Sequence, residues 1–209
     1  MRKFLTLLLL LAWVNAPAVE VPSVLVFGDS LSAGYGIDVD QSWPALLQTR
    51  LRKEGYEYRV VNASISGETT EGGAQRIRRA LKQFTPRLVV LELGGNDGLR
   101  GFPPERMRKN LETIIRCSRA AGARVVLLGI RIPTNYGARY TAAFEQVYQD
   151  LAEEYELPWI EFFMDGVAQN ENLMQSDGIH PNAEAQTLLL DNAWPVIEQA
   201  LGMQHADNS

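Results

Sequence analysis

The chain of 209 residues has only two histidines, and one of them, His205, lies in its polar end. An imidazole base therefore has to be His180, within Asp177-Gly178-Ile179-His180-Pro181. Taken alone, a histidine at a helix start is more often structural, a cap for the turn before Pro181. Asp177, three residues earlier, gives it a chemistry: one tight turn can set the carboxylate on one ring nitrogen and leave the other facing a reaction partner. A base with an orienter needs a nucleophile within hydrogen-bond reach. Ser30, in Gly28-Asp29-Ser30-Leu31-Ser32-Ala33-Gly34, is the best candidate, because it leaves an apolar run where a helix-like turn begins. There its own N–H can face a developing oxyanion. Taken alone, Ser30 reads as an N-cap or turn serine, and Ser32, Ser64 and Ser66 are alternatives that spacing does not exclude.

Two further turns supply electrophilic help. Gly67 ends Asn62-Ala63-Ser64-Ile65-Ser66-Gly67, and a glycine lets its N–H approach a substrate oxygen unobstructed. Asn96, in Gly94-Gly95-Asn96-Asp97, offers an uncharged amide donor, and such a donor lowers an acyl-transfer barrier by about 3 kcal/mol. Asp29 and Asp97 read as carboxylates that brace turns. A dinuclear metal centre on Asp29, Asp97 and Asn96 is disfavoured, since one available histidine is too few for the usual ligands. No metal or organic cofactor is expected.

Something must bring these turns together. Apolar runs at 23–27, 58–61, 88–93, 124–130 and 159–163 read as strands. Amphipathic stretches at 43–54, 72–84, 104–121, 138–156 and 181–201 read as helices. Continuous apolar strands such as Leu88-Val89-Val90-Leu91 belong to a parallel sheet covered on both faces. Strict β-α alternation predicts an α/β fold, a three-layer αβα sandwich around a five-stranded parallel sheet. Ligands bind at the carboxyl ends of such strands, where all four polar turns fall.

Composition narrows the partners. Arg2 and Lys3, an apolar run over 4–14 and Ala16-Pro17-Ala18 have the order of a signal peptide, which predicts export and assigns 1–18 to a leader. Eleven residues are too few to span a bilayer of about 30 Å, so no membrane anchor is expected. Residues 19–201 then form one domain and 202–209 a frayed tail. Without the leader, 18 basic residues stand against 25 acidic ones, a net charge of −7 that disfavours nucleic acid. Cys117 is the only cysteine, so no intrachain disulfide is possible, and its helical apolar setting reads as a buried thiol. Nothing in the pattern calls for more than a monomer.

Gly28-Asp29-Ser30-Leu31, Gly67, Gly95-Asn96-Asp97 and Asp177 with His180 resemble, in order and separation, the four blocks of the GDSL (SGNH) hydrolases. The resemblance runs from about residue 23 to 197. It implies a flavodoxin-like fold, a Ser30-His180-Asp177 triad and an oxyanion hole of Ser30, Gly67 and Asn96. The stretches 60–69, 92–101 and 132–137 look like the bacterial periplasmic thioesterase I/protease I/lysophospholipase subgroup. That likeness implies an acyl groove bordered by a loop of Gly98, Leu99, Arg100, Gly101 and Phe102, and by Ile132, Pro133 and Tyr136. The implied substrates are small acyl esters, thioesters or lysophospholipids. A carbohydrate O-deacetylase of the same family is the alternative. A phosphate- or nucleotide-binding module, with 28–34 as an anion nest, is a rival from another class.

Overall fold

The computed structural model describes residues 21–207, so the leader expected at 1–18 lies outside the described residues, as do 208 and 209. Five strands, β1 (Ser23–Gly28), β2 (Arg59–Asn62), β3 (Leu88–Glu92), β4 (Arg124–Leu128) and β5 (Trp159–Ile160), form one parallel sheet in the order β2-β1-β3-β4-β5. Val24–Phe27 and Val89–Leu91 are wholly buried, as strands with helices on both faces must be.

Short helices α1 (Ser30–Ala33) and α4 (Gly95–Leu99) stand at the ends of β1 and β3. The longer ones are α2 (Trp43–Lys53), α3 (Thr70–Phe84), α5 (Pro104–Ala120), α6 (Ala138–Glu154) and α7 (Gln186–Asp207). Helices α3, α5 and α6 pack together on one face, and α2 and α7 on the other. The sandwich is the expected one. After β2 the chain returns past β1 to β3, so the switch point lies between the carboxyl ends of β1 and β3.

Several boundaries differ from the sequence reading. Helix α7 begins at Gln186 rather than Pro181, because the Asn182 side chain accepts from the N–H groups of Glu184 and Ala185 and holds a turn there. Pro181 instead bridges to Met174, and α7 runs on through Asp207, into the stretch expected to be a tail. Strands β4 and β5 stop at Leu128 and Ile160, although the two segments stay bonded beyond, Gly129 donating to Ile160 and accepting from Phe163. Cys117 is buried.

Candidate active site

The first turn is held from within. Gly28 is the cross-strand partner of Glu92, and a Cβ there would come within 2.6 Å of the Glu92 carboxyl oxygen and 2.8 Å of its backbone oxygen. Only glycine fits so close an approach. The Gly28 N–H donates to Ser64 Oγ (3.1 Å), the Asp29 N–H to Glu92 Oε2 (3.4 Å) and the Leu31 N–H to Asp29 Oδ1 (3.1 Å). Backbone donors that could have cradled a phosphate are thereby occupied, and Asp29 adds a carboxyl at the same helix start. The Ser30 N–H has no acceptor among the described residues, and neither has that of Gly67.

These bonds also sort the serines. Ser32 is buried, with its Oγ 2.6 Å from Glu92 Oε2, and Ser64 is committed to Gly28. Ser66 is exposed and makes no side-chain hydrogen bond among the described residues. Ser30 Oγ lies 3.0 Å from His180 Nε2, and His180 Nδ1 lies 2.7 Å from Asp177 Oδ2. With the imidazole proton on Nδ1, Nδ1–H donates to Asp177 and Nε2 accepts from Ser30. The other carboxylate oxygen, Asp177 Oδ1, accepts from the N–H groups of Ile179 (2.9 Å) and His180 (3.0 Å). Bonds from the backbone and ring of His180 lead in lowering the Asp177 pKa from 3.8 to about 2, so the carboxylate is charged at any working pH. The ring of Tyr35 lies against that of His180, centroids 4.4 Å apart.

Asn96 and the two aspartates expected to brace turns fall into one scheme. Asn96 Nδ2 donates to Asp29 Oδ2 (3.1 Å), which fixes the plane of the amide. Asp29 is 1% exposed, and burial above all raises its pKa from 3.8 to about 6. Asp97 accepts from the N–H (2.8 Å) and hydroxyl (2.6 Å) of Thr70 and so anchors the start of α3, just after Gly67. Gly67 itself has φ +78°, a left-handed conformation suited to glycine, with open space where a Cβ would stand.

Ser30, Asn96 and His180 open on a cleft of about 690 Å³. Of the expected groove residues, Leu99, Ile132 and Pro133 line it, whereas Gly98, Arg100, Gly101, Phe102 and Tyr136 do not, nor does Gly67, expected at the oxyanion hole. Gly98 and Tyr136 support the wall through Ile132 and Leu99, which line it. Gly98 sits where a Cβ would come within 2.6 Å of Ile132, Tyr136 donates to the Leu99 carbonyl (2.7 Å) and Arg100 donates to the Gly67 carbonyl (3.1 Å). The opposite wall went unread in the sequence: Phe162, Met164, Ala168 and Met174. Their signal was position, since they follow the carboxyl end of the last strand. Arg131, at the same cleft, pairs with Glu145 and Glu161. A larger basin of about 1110 Å³ opens at the amino edge of the sheet and carries no serine-histidine pair. Among the described residues no group of three or more His, Cys, Asp or Glu converges as a metal site would, and no helix is long and apolar enough to cross a membrane.

Fold and site together define a class, the serine ester hydrolases built on a doubly wound sheet. Residues 26–188 match the family model described as GDSL-like Lipase/Acylhydrolase family, and the chain belongs to that family. It is 51% identical over 179 residues to Esterase TesA of Pseudomonas aeruginosa, covering 86% of this chain and 89% of that one. It is 45% identical over 183 residues to Thioesterase 1/protease 1/lysophospholipase L1 of Escherichia coli K12, covering 88% and 86%. A crystal structure of TesA superposes with a TM-score of 0.83 at 50% identity, covering 85% of this chain and 99% of that one.

Proposed function

We propose that this protein hydrolyses small acyl esters and thioesters, lysophospholipids among them, through an acyl-enzyme on Ser30. One observation carries the reading: the hydrogen-bonded series Ser30 Oγ–His180–Asp177, 3.0 and 2.7 Å, at the mouth of a cleft walled by Leu99, Ile132, Phe162, Met164 and Met174. Ser30 Oγ attacks the carbonyl carbon as His180 Nε2 takes its proton, and Asp177 stabilises the imidazolium. The N–H groups of Ser30 and Gly67 and the Asn96 amide receive the oxyanion. Collapse expels the alcohol or thiol with the proton from His180, and water repeats the sequence on the acyl-enzyme.

Export follows from the Arg2-Lys3 leader pattern, and it favours lysophospholipids or other acyl esters over cytoplasmic acyl-CoA as substrates in the cell. Apolar side chains on both cleft walls favour medium or long acyl chains over acetate, against the O-deacetylase alternative. Two measurements test this. Ser30→Ala should abolish hydrolysis of p-nitrophenyl acyl esters and labelling by a fluorophosphonate probe, and retained turnover would sink the assignment. Chain-length profiling should favour octanoate or longer, and a preference for acetate would support the alternative.

A further inference from the structure

Glu92 has no part in the reaction as described, yet it is 0% exposed and lies directly beneath the nucleophile turn. Its Oε2 meets the Ser32 hydroxyl and the Asp29 N–H, and Ser32 Oγ also accepts from Trp43 Nε1 (3.3 Å). Its Oε1 is buried and has no partner among the described residues. The carboxyl group fills the space that Gly28 leaves by lacking a Cβ. Two buried carboxyl groups, Asp29 and Glu92, therefore share one small region, and both cannot ionise cheaply there.

The surroundings divide the charge unequally. Asp29 accepts from the Leu31 N–H and the Asn96 amide and feels the nearby His180, with Asp97 opposing. Glu92 is offered the Ser32 hydroxyl, the long Asp29 N–H contact and the Ser32 N–H, but its Oε1 is left without a partner among the described residues, with Tyr148 and Asp29 the ionisable neighbours facing it. An orphan oxygen is far more costly on a carboxylate than on a neutral acid. Burial first, then the charge of Asp29, push the Glu92 pKa well above its ordinary value.

We propose that Glu92 is a positioning residue for ester hydrolysis: as a neutral acid it clamps the Gly28–Ser32 turn to β3 and leaves the pair's single negative charge on Asp29, where it orients Asn96. The proposal rests on the reading of Ser30 as nucleophile. Glu92 touches neither substrate nor reacting atoms, so it acts through the turn and through Asp29.

The test compares Glu92→Gln and Glu92→Ala with the intact enzyme on a p-nitrophenyl ester, measuring kcat, KM and the acid limb of kcat against pH. Fluorophosphonate labelling of Ser30 in the intact enzyme tests the nucleophile separately, so failure of that reading is distinguishable. Glutamine mimics a neutral acid, so Glu92→Gln should keep kcat within about threefold and leave the acid limb in place, because no charge beside Asp29 has been removed. Glu92→Ala should lower kcat by about 10- to 100-fold with KM little changed, as expected for a lost alignment. An acid limb displaced downward in Glu92→Gln would mean that Glu92 carries charge, and would overturn the proposal. So would a folded Glu92→Ala with undiminished kcat. Should the alanine variant not fold, the pH profile of the glutamine variant decides alone.

Discussion

Replacing Asp29 by asparagine should stabilise the protein at neutral pH while impairing it as a catalyst. The native carboxyl is raised from 3.8 to about 6, with burial the largest cause. Between those values the folded chain holds a proton that the unfolded chain has released, so stability falls as pH rises through the window. Above it the ionised carboxylate costs about 3 kcal/mol; at pH 4 the cost is only about 0.5 kcal/mol. Asparagine avoids the cost at every pH but presents an NH2 group to the NH2 of Asn96, losing about 1–2 kcal/mol of hydrogen bonding. That loss does not vary with pH, whereas the charge cost does. The stability difference between variant and wild type should therefore move in the variant's favour by about 2.5 kcal/mol from pH 4 to pH 7.5. Urea unfolding at the two pH values measures it, provided the slopes agree. Meanwhile the Asn96 amide either confronts another amine or flips, and kcat should fall by about 100-fold. A stability difference that stays the same at both pH values would refute the assignment of a buried, strained charge to Asp29.

Asp177→Asn removes the charge that holds the His180 tautomer, and kcat should fall on the order of 10³- to 10⁴-fold with KM nearly constant; a loss below tenfold would exclude a triad role. With the Asp177 pKa lowered to about 2, the stability it contributes is present above 3.8 and is lost only as pH falls toward 2, so loss of activity above pH 4 belongs to other groups. Gly98→Ala forces a Cβ to within 2.6 Å of Ile132 and 2.8 Å of Phe144. It should destabilise the protein by about 1–3 kcal/mol in thermal unfolding, and an unchanged melting temperature would refute that packing.

Much of this was legible beforehand. A period of two or a continuous apolar run announces a strand, and β-α alternation with right-handed crossovers leaves few topologies, so the sandwich and the shared edge of the four turns followed from the chain alone. His180 and Asp177 were legible because histidine is scarce and a three-residue spacing is a local geometry. What the sequence could not decide was which of several turn serines faces the base. Ser30, Ser32, Ser64 and Ser66 have the same chemistry, and only their neighbours differ: Glu92 claims Ser32, Gly28 claims Ser64, and His180 faces Ser30 across 150 positions. The cleft's second wall, at 162–174, was hidden for the same reason, since it packs by tertiary proximity and follows no periodic pattern. Glu92 shows the limit most sharply. Inside the apolar run at 88–93 its sequence neighbours say nothing of its role, and only three-dimensional packing puts it at zero exposure, where burial and a second carboxyl push its pKa up.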